Sequence, residues 1–115
     1  MTRPSEKKAA PAMPAVYCSL YRVLVDVGRE LGYAMAIHGT LANDMDVLAA
    51  PWTDEAAPAE DLVAAVIDRT GAMDLNRANP GKNPGVKPHG RLAWTLLLDG
   101  GAYIDLSVMP RRATP

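Results

Sequence analysis

Apolar residues recur at helical spacing from Pro14 onward. Up to Leu31 they follow the 3.6-residue period of one helix face, and Gly32 stands just past the last of them. Proline is tolerated in the first turn of a helix, and glycine is favoured just beyond its end. The pattern therefore predicts an amphipathic helix over residues 14–31. Its expected buried stripe is Val16, Leu20, Val23, Leu24, Val27 and Leu31.

Two segments after this helix have the pattern of strands. In YAMAIHG, which begins at Tyr33, alternate residues share a face, so Ala34 and Ala36 lie on the side of His38. Because these alanines are small, we expect a helix to pack closely on that side. The second segment, DMDVLAAPW, is apolar on both faces after its first three positions. That pattern is typical of a central strand, which we expect to end before Pro51.

The remaining elements are a second helix, a long loop and a hairpin. Pro58 precedes a helical pattern that runs to about Thr70, with Gly71 as its stop. The expected buried stripe is Leu62, Val63, Val66 and Ile67. Between residues 71 and 91, NRANPGKNPGVKPHGR has three prolines, three glycines and no apolar period, which predicts a loop. RLAWTLLLD and AYIDLSVMP then flank Gly100-Gly101, the composition of a tight hairpin turn.

These elements predict one α+β domain over residues 14–110. Two helices pack on a mixed or antiparallel four-stranded sheet, in the order α-β-β-α-β-β. Residues 1–13 mix charge, proline and alanine without a period and are expected to form a disordered tail, and residues 111–115 a frayed one. The length of 115 residues fits a single hydrophobic core.

Composition excludes several classes of partner. No apolar run approaches the roughly 20 residues that a membrane span needs, so no membrane partner is expected. The net charge of −1 argues against general nucleic-acid binding, and any phosphate recognition must be local. The single cysteine, Cys18, cannot form an internal disulfide and is expected to be a buried thiol. A cytoplasmic location, in a reducing compartment, is the simplest expectation.

Three aspartates are the candidates for chemistry. Asp44 and Asp46 stand at i and i+2, so on a strand they present two carboxylates on one face, where like charges call for a balancing cation. A turn at Asn43 and Asp44 with a solvated Asp46 would explain the pair without a metal. Asp105 lies within an apolar strand and needs solvent, a cation or a metal. Together the three would form an oxygen-rich set that suits Mg²⁺ with phosphate substrates.

The order of these motifs resembles the polymerase-beta-type nucleotidyltransferase superfamily. A strand ends in His38-Gly39-Thr40, the next carries Asp44-x-Asp46, and a later strand carries Asp105. In that resemblance Gly39 and Thr40 fill the place of a Gly-Ser pair, and the aspartates match the three metal-binding carboxylates. HGTLANDMDVLAAPW and AYIDLSVMPR are also similar to short proteins encoded by bacteriophages and prophages. That similarity would place the chain in the cytoplasm of a host cell.

The resemblance implies binding of a nucleotide, or another phosphorylated small molecule, with Mg²⁺ or Mn²⁺. Asp44 and Asp46 would hold the ions, and Asp105 would help to activate an acceptor hydroxyl. The segment of His38, Gly39 and Thr40 would contact the substrate, with the amides near Gly39 and the Thr40 hydroxyl on the terminal phosphates. A cationic group in the long loop would cover the nucleotide or, alternatively, be a solvated surface. Its members are Lys82, Lys87, His89 and Arg91.

Two alternatives remain open. Only three residues separate Thr40 from Asp44, where superfamily members usually have a longer segment. The shortened phosphate cradle fits a protein that binds a nucleotide or signalling molecule without turnover, or one that inhibits a host protein partner. His38-Gly39-Thr40-Leu41 also resembles one arm of the two-histidine phosphoesterases. The second arm would have to be His89-Gly90-Arg91, where arginine cannot replace the motif's hydroxyl residue.

Overall fold

The computed structural model describes residues 14–74 and 84–111. Helix α1 spans Pro14–Leu31 and helix α2 spans Ala59–Thr70. The strands are β1 (Tyr33–His38), β2 (Met45–Pro51), β3 (Met73–Asp74), β4 (Gly85–Val86), β5 (Leu92–Leu97) and β6 (Tyr103–Val108). Short 3₁₀ turns occupy Pro88–Gly90 and Asp99–Gly101. The predicted disordered tail and all of the predicted frayed tail except Arg111 lie outside the described residues.

The strands form one mixed sheet in the order β1-β2-β6-β5-β3, and β4 also pairs with β5. Strands β2 and β6 are parallel, and the other pairs are antiparallel. The α+β class with two helices is therefore confirmed. The predicted count of four strands is wrong, since residues 14–74 and 84–111 alone form six. The two additions, β3 and β4, fall in the segment predicted to be a loop, where each pairs two residues with the edge of β5.

The two helices begin and end close to the predicted positions. Both limits of α1 match, but Val16 is 49% exposed and Tyr17 is fully buried, so the buried stripe differs from the prediction. Cys18, expected to be a buried thiol, is exposed. Tyr17 can replace Val16 in the core because its ring is apolar and its hydroxyl finds a backbone partner inside. Helix α2 ends at Thr70, and Gly71, with a φ of 73°, supplies the left-handed cap.

Helix α1 packs on the face of β1 that carries Tyr33 and Met35, both of which are buried. The expectation that a helix covers the side of Ala34 and Ala36 is wrong, since Ala36 is exposed. The small residue that permits the close approach lies in the helix instead. A Cβ added at Gly28 would lie 2.7 Å from Met35 Cγ and 2.8 Å from the Tyr33 carbonyl oxygen.

Strand β2 is central, as predicted, because it lies between β1 and β6. It includes Pro51, opposite Tyr33, so the expected end before Pro51 is wrong by one residue. The predicted hairpin of β5 and β6 is also present, although its turn is wider than two residues. The Leu98 N–H donates to the Ala102 carbonyl at 2.7 Å, and the turn between them uses positive φ at both glycines.

The helices cover one face of the sheet, and two aspartates lie on the other. Asp46 stands between fully buried Met45 and Val47, and Asp105 between fully buried Ile104 and Leu106. Because side chains alternate along a strand, both aspartates point away from the helices. Neither helix in the described part of the chain has the length and apolar character to cross a membrane.

Candidate functional site

Three carboxylates converge at the start of β2. In the parallel pair of β2 and β6, Asp46 lies opposite Asp105, and Asp44 immediately precedes β2. One oxygen from each of the three carboxylates lies within 4.8 Å of the other two. All three side chains are partly buried, which leaves them open to a ligand on one side. We refer to Asp44, Asp46 and Asp105 as the aspartate cluster.

The environment of the cluster disfavours full ionisation. The pKa of Asp105 is raised to about 6, mainly by burial and also by a hydrogen bond to Asp44. The Thr95 hydroxyl opposes this shift, because it donates to Asp105 Oδ1 at 3.1 Å and so stabilises the anion. The pKa of Asp46 is also raised, first by burial and then by the negative charge of Asp44.

A hard divalent cation fits this donor set. Mg²⁺ and Mn²⁺ prefer carboxylate oxygens, and the three oxygens are close enough together to share one ion or two. A bound cation would offset both the burial and the mutual repulsion of the carboxylates, and would therefore compete with protons for the same oxygens. The cluster is thus chemically suited to a metal, and its affinity would fall in acid.

The turn between β1 and β2 lies against the cluster. Gly39 has a φ of 82°, and a Cβ added there would lie 2.6 Å from Asp46 Oδ2, so only glycine fits without displacing the carboxylate. Thr40 Oγ1 accepts a hydrogen bond from the Ala42 N–H at 3.2 Å. Leu41 follows in the left-handed region at φ 62°. The Thr40 side chain thus helps to build the turn itself.

Tyr17 supports the cluster from the helix side. Its hydroxyl donates to the Asn43 carbonyl at 2.9 Å, and Asn43 is followed directly by Asp44. Burial raises the pKa of this hydroxyl, which keeps it protonated as a donor, while a hydrogen bond from the Tyr103 backbone N–H acts in the opposite direction. The sequence pattern missed Tyr17 because it lies off the predicted apolar stripe.

A cleft of about 590 Å³ borders the cluster, and cationic residues also line it. Arg91 is held by two hydrogen bonds, from Nε to the Pro88 carbonyl and from Nη1 to Ser107 Oγ, both at 3.1 Å. Ser107 lies two residues beyond Asp105 on the same strand face, roughly 7 Å along the strand. Lys87 also lines the cleft. Acidic and basic side chains therefore line the same cleft.

The structure brings together most of the predicted site residues. Those that line the cleft are His38, Asp46, Lys87, Arg91 and Asp105. Asp44 belongs to the cluster and Gly39 lies against it. Thr40 and His89 are not among the described residues that line the cleft, and Lys82 lies outside the described ranges. A two-histidine site therefore has only His38 at this cleft. Thr95 and Ser107 were not predicted, since only pairing between strands reveals their neighbours.

Comparison with known proteins adds no relative. No model of a protein family matches the sequence, and no similar protein was found among curated proteins.

Proposed function

We propose that the protein binds a nucleotide together with a divalent cation at the aspartate cluster and transfers a nucleotidyl group to an acceptor hydroxyl. The observation that supports this function best is the convergence of three carboxylates within 4.8 Å beside a cleft that two of them, Asp46 and Asp105, line together with Lys87 and Arg91. A cation and a polyanion are the ligand pair that such a cleft balances electrostatically. The order of the motifs, which resembles the polymerase-beta-type superfamily, supports the same proposal.

The aspartate cluster would hold Mg²⁺ or Mn²⁺. When bound, these ions would neutralise phosphate charge and align an in-line attack at phosphorus. Asp44 and Asp46 would supply ligand oxygens from the start of β2, and Asp105 would supply a third from β6. The Thr95 hydroxyl would keep the Asp105 carboxylate in this orientation through its hydrogen bond.

The other cleft residues would bind the phosphates and assist proton transfer. Among the described residues, the hydrogen bonds of Arg91 use Nε and Nη1, which leaves Nη2 for a phosphate oxygen, and a guanidinium suits paired phosphate oxygens. Asp105 would accept the proton of the acceptor hydroxyl while that oxygen bonds to the α-phosphorus. The bond from the α-phosphorus to the leaving pyrophosphate then breaks.

A second candidate is binding of the nucleotide without transfer. It is favoured by the short turn after β1, in which the Thr40 hydroxyl oxygen is engaged by the Ala42 N–H and Leu41 has a positive φ. Such a turn offers little room for the terminal phosphates. A protein of this kind would act by sequestering a nucleotide or signalling molecule, or by engaging a protein partner.

Turnover and binding separate the two candidates. The protein is incubated with each nucleoside triphosphate and Mg²⁺ or Mn²⁺, released pyrophosphate is measured, and nucleotide affinity is determined by calorimetry. The test variant is Asp44→Asn with Asp46→Asn, and the matched control is Asp54→Asn with Glu55→Gln, a pair exposed after β2.

If the protein transfers a nucleotidyl group, the unsubstituted protein and the control variant should release pyrophosphate, and the test variant should not. Cation-dependent nucleotide binding without release would establish the second candidate. Nucleotide binding that survives in the test variant, or no binding of either ligand, would overturn the proposal.

A further inference from the structure

Tyr17 connects the helical layer to the backbone beneath the aspartate cluster. The residue is fully buried, and its hydroxyl donates to the Asn43 carbonyl at 2.9 Å. The backbone of Tyr103, at the beginning of β6, lies near enough to this hydroxyl to oppose the rise in its pKa. One hydroxyl on α1 thus holds the backbone that leads into Asp44 and lies near the backbone that leads into Asp105.

These two backbone segments lead into Asp44 and Asp105. Asp44 follows Asn43 directly, and Asp105 lies two residues beyond Tyr103. Asp44 precedes β2, so the strand pairing of Met45 with Ile104 does not extend to it. Like charges within 4.8 Å of one another repel, and the least restrained of the three is expected to move away first. The Tyr17 hydrogen bond is partly shielded from water, and it therefore opposes that movement more strongly than a fully exposed bond would.

We infer that Tyr17 is a positioning residue of the aspartate cluster, whose hydroxyl holds the backbone of residues 43–44 in the place where the Asp44 carboxylate can share a cation with Asp46 and Asp105. The inference rests on the proposed function, because it assigns Tyr17 a role in cation binding. Tyr17 acts through the backbone from the buried side and touches no ligand.

Two other tyrosines provide matched controls. The Tyr33 hydroxyl donates to the Ala57 carbonyl at 2.7 Å, and the Tyr21 hydroxyl donates to the Met35 carbonyl at 2.7 Å. Each is a tyrosine-to-backbone hydrogen bond between separate elements, as in Tyr17. Neither reaches the residues that carry the cluster. Removal of any one hydroxyl should therefore destabilise the fold to a similar extent, while only Tyr17 should affect the cation.

The test compares Tyr17→Phe with Tyr33→Phe and Tyr21→Phe in the full chain. Affinity for Mn²⁺ is measured by calorimetry at a temperature where circular dichroism shows all variants folded. In a second measurement, ¹⁵N relaxation of the metal-free proteins reports backbone order at residues 43–46. We expect Tyr17→Phe to weaken Mn²⁺ binding by up to roughly tenfold, as loss of one partly buried hydrogen bond would, and to lower the order of residues 43–46. The two control variants should leave both properties unchanged.

Two results would overturn the inference: Tyr17→Phe with the affinity and backbone order of the controls, or equal losses in all three variants. Absence of Mn²⁺ binding in the unsubstituted protein would instead defeat the proposed function. In that case loss of order confined to Tyr17→Phe would still support the positioning of residues 43–44 by Tyr17. If the backbone order of residues 43–46 in Tyr17→Phe is also unchanged, the inference about Tyr17 is overturned too.

Discussion

The surroundings of Asp105 act on its pKa in opposite directions. Burial and hydrogen bonding to Asp44 raise its pKa to about 6, and only the Thr95 hydroxyl offsets them in part. Without a cation, the fold binds the Asp105 proton more tightly than the unfolded chain does, whose carboxyl has a pKa of 3.8. The ionised form therefore lowers stability. The resulting loss in the free energy of unfolding is small below pH 4. It grows as the pH rises from 3.8, the pKa in the unfolded chain, to about 6, the pKa in the fold, and reaches its full size above about pH 6.

We expect Asp105→Asn to stabilise the metal-free protein at pH 7.5 and to have little effect at pH 4. Because the carboxylate is partly solvated, the gain at pH 7.5 should be about 1 kcal/mol rather than the full value implied by the pKa. Thermal unfolding at the two pH values measures it, with Asp99→Asn in the exposed turn before β6 as the control. A gain of equal size at both pH values would contradict the ionisation argument.

Gly39 is required both by its backbone angle and by its neighbour. Its φ is 82°, and an added Cβ would meet Asp46 Oδ2 at 2.6 Å. Gly71 has a similar φ of 73° with nothing within 4 Å of an added Cβ. Each substitution to alanine should therefore cost about 1 kcal/mol of stability through backbone strain.

Only Gly39→Ala should also weaken Mn²⁺ binding, by roughly tenfold or more, because it displaces a ligand oxygen. Calorimetry on the two alanine variants measures the difference. Equal affinities in Gly39→Ala and Gly71→Ala would mean that the turn after β1 does not support the cluster.

Among the contacts between elements, helix α1 packs closely on β1 at the buried Gly28. Gly28→Ala would improve intrinsic helix propensity by about 1 kcal/mol. The added methyl would nevertheless lie 2.8 Å from the Tyr33 carbonyl, a backbone atom that cannot rotate away. We expect a net destabilisation of about 1 to 2 kcal/mol, measured by denaturant unfolding. Ser19→Ala, on the exposed side of the same helix, should be neutral or slightly stabilising, and a stable Gly28→Ala would show that α1 can shift away from β1.

The long elements could be predicted because their signals are local. Both helices and the four long strands follow apolar periods and glycine or proline signals in the sequence. Strands β3 and β4 have two residues each, too few to show a period, and they form only because β5 provides an edge. The rotation of α1 was predicted imperfectly for a related reason. A tyrosine is buried or exposed according to whether its hydroxyl finds a partner, which the sequence alone does not reveal.

The candidate site was predictable in its residue types and less so in its geometry. Asp44 and Asp46 could be paired by spacing alone, but the approach of Asp105 depends on the parallel register of β2 and β6. No local pattern encodes that register. Tyr17, Thr95 and Ser107 went unnoticed because each acts on a residue of another element.

At the scale of the whole molecule, a bound cation should stabilise the fold. The chain carries a net charge of only −1, yet three carboxylates are concentrated at one point, so their repulsion is local and a cation can relieve it. A ligand present at about 100 times its dissociation constant adds about 2.7 kcal/mol to the stability of a folded protein that alone binds it.

We therefore expect Mn²⁺ at such a concentration to raise the melting temperature at pH 7.5 and to raise it much less at pH 5, where protons compete for the cluster. Differential scanning calorimetry with and without Mn²⁺ measures the effect. Asp44→Asn with Asp46→Asn should abolish the rise, and Asp54→Asn with Glu55→Gln should retain it. A rise that persists without the two aspartates would indicate binding elsewhere.

The parallel pairing of β2 with β6 has a consequence for folding. Asp46 and Asp105 are separated by 59 positions (105 minus 46), so a cation between them would act as a removable cross-link that closes a long loop. A slip of one residue in β6 would turn Asp105 toward the helices and leave the ion without its third ligand. The ion would thus bind only chains in which β6 has joined the sheet in the correct register. A chelator would remove this extra stabilisation of the correct register.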